Sequence, residues 1–319
     1  MKESNTLIGK SPEFCAIIRA AEVVAVLDVT VLVLGESGTG KELLARAIHY
    51  DSHRKDKPFV TINCAALPEN LVESELFGHR KGSFTGALAE NKGRIRAAEG
   101  GTIFLDEVGE LSPHIQAKLL RFLEESECQA IGYATPYKVD VRLIAATNRN
   151  LYNHVKTGQF RKDLYYRLHV VPLEMPPLRQ REGDLSLLIN HFLHVLSHHH
   201  AVEPPQLSNE TLKILYRYRW PGNVRELRNF CERMIALYRG RTIHPELLPQ
   251  EFLSDETKQD VHNKGFMLPD TGISLDTLQA QMIRQALVKT KGNKSKAARL
   301  LGLTRNTLLY RMSKYAIDL

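Results

Sequence analysis

A glycine-rich loop between a predicted strand and a predicted helix limits most strongly what this chain can fold into. The loop reads Gly-Glu-Ser-Gly-Thr-Gly-Lys-Glu, after the apolar stretch Val29 to Leu34 and before the helical stretch Leu43 to His49. In such a context converging backbone N–H groups and a helix N-terminus attract phosphate oxygens. The residues predicted to bind a nucleotide are Gly35, Glu36, Ser37, Gly38, Thr39, Gly40, Lys41 and Glu42.

One residue of this loop departs from the usual pattern. A serine or threonine normally follows the lysine and ligates Mg²⁺, whereas Glu42 stands there in this chain. Metal binding would then depend on acidic residues elsewhere. The alternative is a glycine-rich turn without a ligand, which the flanking strand and helix disfavour.

The first half of the chain alternates predicted strands with predicted helices, which indicates an α/β fold with a parallel sheet. Further strands are expected at 58–62, 102–105 and 141–146. Ligands of such folds lie at the carboxyl ends of the strands. The polar residues just past a strand end are Lys41, Asn63, Asp106, Glu107 and Asn148, so one site could gather them.

Two of these residues are adjacent acids at the end of an apolar strand. We expect Asp106 to hold Mg²⁺, directly or through water, and Glu107 to orient and deprotonate the attacking water. Asn148 could hold that water or the γ-phosphate, or it could be a turn residue. Only its position after a strand favours the first role.

Two arginines, Arg161 and Arg167, lie six residues apart. An arginine from a neighbouring subunit can stabilise the charge that develops on a γ-phosphoryl group. The alternative is a helix surface with local ion pairs, and the spacing alone favours that alternative.

The second half is predominantly helical and ends in a basic segment. Residues 294–301 and 304–315 predict two short helices joined at Gly302, a helix-turn-helix. Residues 273–319 hold nine Lys or Arg and two Asp, so they carry the whole net charge of +7. This favours nucleic-acid binding over a basic solvated bundle. The predicted DNA contacts are Lys294, Arg305, Asn306, Thr307, Tyr310, Arg311 and Lys314.

Composition points to a cytoplasmic protein. The most apolar stretch, residues 20–34, is interrupted by Glu22 and Asp28, so no membrane span is expected. The four cysteines are scattered and read as reduced core residues, not as disulfides or zinc ligands.

Five stretches in order resemble a known family. They are Gly35 to Glu42, Gly82-Ser-Phe-Thr-Gly-Ala87, Gly101-Thr-Ile-Phe-Leu-Asp-Glu107, Phe160-Arg-Lys-Asp-Leu-Tyr-Tyr-Arg-Leu168 and Trp220-Pro-Gly-Asn-Val-Arg-Glu-Leu227. Together they look like the AAA+ domain of the bacterial sigma-54-dependent transcriptional activators, or enhancer-binding proteins. The tail is similar to their Fis-type helix-turn-helix, and the family accepts Glu after the loop lysine.

The resemblance implies roles for further residues. Asn63 would restrain Glu107 in response to nucleotide, and Arg225 would be the nucleotide sensor of the helical lid. Arg161 and Arg167 would act in trans, which implies a ring, usually a hexamer. The loop expected to contact sigma-54 comprises Gly82, Ser83, Phe84, Thr85, Gly86 and Ala87, in which Ser83 replaces the family's usual alanine.

The resemblance also implies a domain plan. We expect an α/β subdomain at 7–173, a helical lid at 174–248, a linker at 249–272 and a helix-turn-helix domain at 273–319. Most members carry an N-terminal regulatory domain, so we expect either that a separate partner controls this protein or that such a domain was trimmed.

The implied function is a motor that hydrolyses ATP with Mg²⁺. It would bind upstream enhancer sites on double-stranded DNA and remodel the sigma-54 RNA polymerase holoenzyme from a closed to an open promoter complex. One alternative is a DNA-binding regulator whose nucleotide site only controls assembly, and another is a clamp-loader or chaperone-like AAA+ protein. The loop with Phe84 and Thr85 disfavours both alternatives, because neither needs it.

Overall fold

The computed structural model describes residues 7–66, 68–83, 89–253, 274–290, 292–315 and 317. The chain forms two compact units, residues 1–254 and 255–319. Among the described residues, every helix is too short or too polar to cross a bilayer. The four cysteines are free thiols, and three of them are buried.

The first unit is built on a five-stranded parallel sheet in the order β2-β3-β6-β1-β7. The strands are β1 Val31–Leu34, β2 Phe59–Asn63, β3 Thr102–Asp106, β6 Arg142–Thr147 and β7 Val171–Glu174. The ladders align Asn63 with Asp106 and Leu34 with Thr147. The carboxyl ends of these strands therefore gather at one edge, and the predicted fold class is confirmed.

Successive residues of each strand point to opposite faces, and helices cover both faces. Ile103 and Leu105 pack on one side, whereas Phe104 packs on the other. Five helices account for most of the two layers. α3 Glu69–Phe77, α5 Pro113–Glu125 and α7 Lys162–Leu168 contribute to the first layer, and α1 Pro12–Ala25 and α2 Lys41–Tyr50 to the second. The short helices α4 Arg94–Ala97 and α6 Leu151–Lys156 join the first layer.

Strand β7 was not among the predicted strands. It contains Pro172, which has no N–H to donate to a ladder and therefore weakens the strand pattern in the sequence. In the structure β7 lies at the sheet edge beside β1. An edge strand needs partners on one side only, so the proline is tolerated there.

A short antiparallel hairpin lies in the stretch that the sequence showed only as polar. It consists of β4 Glu127–Cys128 and β5 Tyr137–Lys138. Two-residue strands are too short for an alternating pattern to be visible in a sequence.

The helical lid packs around its own core. Its elements are α8 Asp184–His199, α9 Asn209–Arg217, α10 Asn223–Tyr238, α11 Gln250–Leu253 and the parallel pair β8 Gln206–Leu207 and β9 Thr242–Ile243. Trp220 is almost completely buried and donates its indole N–H to the Leu215 carbonyl at 3.0 Å.

The predicted linker starts too early, because residues 250–253 form helix α11. Phe252 is buried, and its ring packs against those of Tyr218, Trp220 and Phe230. A four-residue helix with one buried aromatic shows no helical periodicity, which explains the error. The rest of the predicted linker lies outside the described residues.

The N-terminal segment is bonded to the lid. The Asp184 carboxylate is completely buried and accepts hydrogen bonds from the backbone N–H groups of Lys10 (2.6 Å) and Ser11 (3.0 Å) and from Arg181 Nε (2.9 Å). Arg181 also donates to the Ile8 carbonyl. Because a buried carboxylate needs such partners, this cluster holds residues 8–11 on the lid.

The described part of the second unit contains three helices, and the predicted helix-turn-helix is confirmed. Its helices are α12 Leu275–Lys289, α13 Lys294–Leu300 and α14 Arg305–Lys314. Asn293 caps α13 through a 3.0 Å bond from Lys296 N–H, and Thr304 caps α14 through a 3.2 Å bond from Thr307 N–H. Gly302 takes a positive φ of 66° in the turn, a conformation that favours glycine.

Candidate active site

The glycine-rich loop joins β1 to α2, and its glycines are required by close contacts. A Cβ atom on Gly38 would lie 2.3 Å from the Gly222 carbonyl oxygen, and one on Gly35 would lie 2.9 Å from the Met175 carbonyl oxygen. Both glycines also have positive φ. The backbone can therefore pass between the sheet and the lid only without side chains at these positions.

Lys41 begins α2 and is 6% exposed. Its ammonium donates to the carbonyl oxygens of Gly35 (2.9 Å) and Glu36 (3.2 Å) and lies 3.7 Å from Glu107 Oε1. Thr39 Oγ1 donates to the same Glu36 carbonyl at 2.9 Å. The lysine charge is therefore held inside the bend of the loop, beside the acidic pair of β3.

Asp106 and Glu107 stand at the carboxyl end of β3, next to Lys41. Burial, followed by the neighbouring Glu107 carboxylate, raises the pKa of Asp106. A cation beside this carboxylate would offset both effects. Mg²⁺ in nucleotide sites is commonly bound by one or two carboxylates together with substrate phosphates and water, and Asp106 could supply such a carboxylate. The donor set fits that mode of binding.

Glu107 is held in an uncommon conformation. Its φ is +55°, in the left-handed region, and its Oε2 accepts a hydrogen bond from the Asn148 N–H at 3.1 Å. The Asp106 Oδ1 accepts from the Glu107 N–H at 3.1 Å. Such strain at a non-glycine residue is typical of functional sites.

Asn63 and Asn148 each form a hydrogen bond that involves a backbone N–H group. Asn63 Oδ1 accepts the Ala65 N–H at 2.9 Å, and no hydrogen bond joins it to Glu107 within the part of the chain that the structure describes. Asn148 binds Glu107 through its backbone, while its side chain is exposed. Their assignment to catalysis stays a prediction.

The lid reaches the loop from the opposite side. Arg225 Nη1 donates to Ser37 Oγ at 2.9 Å, and the Val224 N–H donates to the Gly38 carbonyl at 3.0 Å. The sequence singled out Arg225 through the family resemblance. It gave no signal for Arg179, whose guanidinium binds the Glu36 carboxylate.

A cleft of about 640 Å³ runs between the loop and the lid. Its polar end is lined by the loop, Asp106, Glu107 and Arg225, and its apolar end by the N-terminal residues Leu7 and Ile8 and by lid helix α8. A nucleotide has a corresponding polar and apolar end. Asn63, Asn148, Arg161 and Arg167 are outside the lining.

Arg161, which precedes helix α7, and Arg167, within that helix, lie on the surface. Arg161 pairs with Asp163 through bonds of 3.0 and 2.7 Å, and Arg167 donates to the Leu123 carbonyl through bonds of 3.1 and 2.8 Å. Both arginine side chains are thus exposed and hydrogen-bonded. Neither of them lines the cleft of its own subunit.

Of the predicted sigma-54 loop, Gly82 and Ser83 are described, whereas Phe84, Thr85, Gly86 and Ala87 lie outside the described residues. The base of the loop is bonded to the hairpin region. The Arg80 N–H donates to the Ile131 carbonyl at 2.9 Å, and Tyr133 OH donates to Glu90 Oε1 at 2.8 Å.

The predicted DNA contacts differ in their exposure and in their partners. Lys294, Arg305, Asn306 and Tyr310 are exposed, while Thr307 and Arg311 are half-buried and the Thr307 hydroxyl bonds that of Thr304. Lys314 Nζ instead lies 3.0 Å from Asp276 Oδ1 of α12, so part of its charge is neutralised within the domain.

Three family profiles match the chain in succession. They are the Sigma-54 interaction domain at residues 7–174, the AAA+ ATPase lid domain at 179–265 and the Bacterial regulatory protein, Fis family, at 274–315.

Several bacterial regulatory proteins are similar to this chain in sequence. The chain is 47% identical to the transcriptional regulatory protein ZraR of Salmonella typhimurium over 97% of its own length and 68% of ZraR. It is 48% identical to the nitrogen fixation protein AnfA of Azotobacter vinelandii, over 99% of its own length and 58% of AnfA. The chain therefore spans about two thirds or less of these relatives. A crystal structure of NtrX from Brucella abortus in complex with ATP is similar with a TM-score of 0.74 at 30% identity, covering 99% of this chain and 71% of that one.

Proposed function

The chain belongs to the family of AAA+ ATPases that carry the sigma-54 interaction domain, and on this premise we propose that it is an ATP-driven activator of sigma-54 RNA polymerase. Its ring would bind upstream DNA and convert a closed promoter complex to an open one. The observation that carries the proposal is the convergence of Lys41, Glu107 and Arg225 on the glycine-rich loop. We also infer a cytoplasmic location.

The proposed chemistry assigns each cleft residue a task. Residues 35–42 bind the phosphates, and Lys41 supplies positive charge beside them. Asp106 would hold Mg²⁺, which when bound neutralises charge on the phosphate oxygens. Glu107 takes the proton of the attacking water, since the Asn148 N–H fixes one carboxylate oxygen and leaves the carboxylate beside Lys41.

Arg161 and Arg167 would complete the site from a neighbouring subunit. Their exposure, and their position outside the cleft of their own chain, support a role in trans. A site completed in this way requires head-to-tail contacts between subunits, which form a ring when the rotation between neighbours closes. We infer a hexamer from the family.

Residues 82–87 would transmit the result of hydrolysis to sigma-54. The base of this loop contacts the hairpin region after α5, and the segment that follows leads into β3 and its acidic pair. A change at the nucleotide thus has a short structural route to the loop. Phe84 and Thr85 are the proposed contact residues.

We expect Arg305→Ala to weaken specific DNA binding by about 10-fold or more, because Arg305 is exposed in the first turn of the proposed recognition helix. Lys314→Ala serves as the matched variant and should weaken binding much less, since Lys314 is paired with Asp276. Fluorescence anisotropy on an operator duplex at two salt concentrations measures both. Equal losses for the two variants would contradict this assignment of the DNA surface.

The function is tested by permanganate footprinting of a sigma-54 promoter with the polymerase and the wild-type protein. Opening should occur with ATP and should fail with a non-hydrolysable analogue. If the analogue supports opening equally well, hydrolysis is not the driving step. If DNA binding changes with nucleotide but the promoter never opens, the protein is a regulator whose nucleotide site only controls assembly.

A further inference from the structure

The second residue of the glycine-rich loop is bound by the lid. The Glu36 carboxylate accepts hydrogen bonds from Arg179 Nη2 at 2.5 Å and Nη1 at 2.8 Å, and from Asn223 Nδ2 at 3.1 Å. The paired geometry with arginine is the strong, directional form of a carboxylate contact. The hydrogen bond from Arg179 is the main cause of the lowered pKa of Glu36.

Asn223 joins this pair to the rest of the lid. It is completely buried, adopts a φ of +52° and donates to the Ser37 carbonyl at 3.0 Å. Its Oδ1 accepts the Leu178 N–H at 2.8 Å, one residue before Arg179. Arg179 and Asn223 are therefore held as one unit.

Backbone hydrogen bonds also join the lid to the glycine-rich loop. The N–H groups of Val224 (3.0 Å) and Arg225 (3.3 Å) both donate to the Gly38 carbonyl. The start of lid helix α10 is thus packed directly on the loop. A movement of the lid cannot leave the loop unchanged while these contacts persist.

A carboxylate in a phosphate-binding loop carries the same sign of charge as the phosphates. Without a partner, Glu36 would repel the phosphates that the loop binds. Arg179 neutralises that carboxylate, and it does so from the lid. The docked lid therefore reduces the negative charge of the loop.

We propose that Glu36 and Arg179 are positioning residues for ATP binding, which make phosphate binding depend on the docked lid. This inference rests on the proposed binding of phosphates by residues 35–42. It differs from the role of Arg225 as a nucleotide sensor, because the Arg179 guanidinium binds the Glu36 carboxylate of the loop.

The test is a double-mutant cycle of Glu36→Gln, Arg179→Gln and the combined variant, with KM for ATP and kcat measured separately. Arg179→Gln leaves a carboxylate without its arginine beside the phosphates, so KM should rise about 10-fold or more, while kcat at saturating ATP changes less than about 3-fold. Glu36→Gln alone should raise KM less. Adding Glu36→Gln to Arg179→Gln should recover part of the lost affinity, because it removes the repelling charge.

Arg179→Lys keeps the charge but loses the paired geometry, and its KM should lie between those of wild type and Arg179→Gln. Arg179→Lys also replaces Arg179→Gln in the test if the glutamine variant does not fold. Arg233→Gln is the matched control, since Arg233 forms an exposed ion pair with Glu251 on the lid surface, 3.3 Å apart. Its KM should equal that of wild type.

Additive effects of the two substitutions, or a change confined to kcat, would overturn the inference. Lys41→Ala separates this result from the proposed function. If Lys41→Ala abolishes ATP binding while the cycle is additive, only the positioning role fails. If Lys41→Ala binds ATP normally, the phosphate assignment itself fails.

Discussion

Replacement of Glu107 by glutamine should lower ATP turnover by about 100-fold or more while ATP still binds. Glutamine preserves the size and can still accept the Asn148 N–H bond, which measures 3.1 Å in the structure, but it cannot take a proton from water. Phosphate release measures turnover, and equilibrium binding of a fluorescent ATP analogue measures affinity.

Glu110→Gln is the matched control for this substitution. Glu110 lies three residues further along the chain and pairs with Arg149 on the surface, at 2.5 Å. Its loss should leave turnover within about 2-fold of wild type, because surface ion pairs contribute little. Unchanged turnover in Glu107→Gln would remove Glu107 from the mechanism.

The same variant tests whether the site is shared between subunits. Arg167→Ala should bind ATP and hydrolyse it poorly. In mixtures of Arg167→Ala with Glu107→Gln subunits, some interfaces combine an intact Glu107 with an intact Arg167, so part of the activity should return. Failure to regain activity at any ratio would count against an arginine that acts in trans.

Thr85→Ala should abolish promoter opening and leave the ATPase rate near that of wild type. Thr85 belongs to the proposed sigma-54 contact loop, and the proposed steps of ATP binding and hydrolysis are assigned to other residues. As a loop substitution it should change the free energy of unfolding by no more than about 0.5 kcal/mol. Phosphate release and promoter opening are measured on one preparation.

Thr157→Ala provides the control, because Thr157 is an exposed threonine of the same unit that bonds only its own helix, through the Asn153 and His154 carbonyls. Both of its activities should be retained. If Thr85→Ala and Phe84→Ala open the promoter normally, the loop is not the coupling element.

The parts of the fold that a local pattern encodes were predictable. The glycine loop, the β-branched strands and the acidic pair after β3 each lie in one short stretch, so their order already predicted a parallel sheet with a site at its carboxyl edge. The net charge of the last segment likewise predicted a separate basic domain. Both predictions are confirmed at the level of the fold.

The features of the fold and site that were not predicted depend on contacts between residues far apart in the sequence. Arg179 binds Glu36 across 143 positions, and neither residue is unusual in its own neighbourhood. Phe252 is buried only because three aromatic side chains of the lid surround it. Strand β7 is recognisable only once β1 is available to pair with it. The periodicity of hydrophobic residues along the sequence carries no information about such pairings.

Both ends of the described part of the first unit are attached to the lid. Lys10 and Ser11 are bonded to Asp184 of the lid, and Phe252 is packed in the lid's aromatic core. A force applied to the chain at residue 10 or at residue 252 would therefore act on the lid before it acts on the sheet.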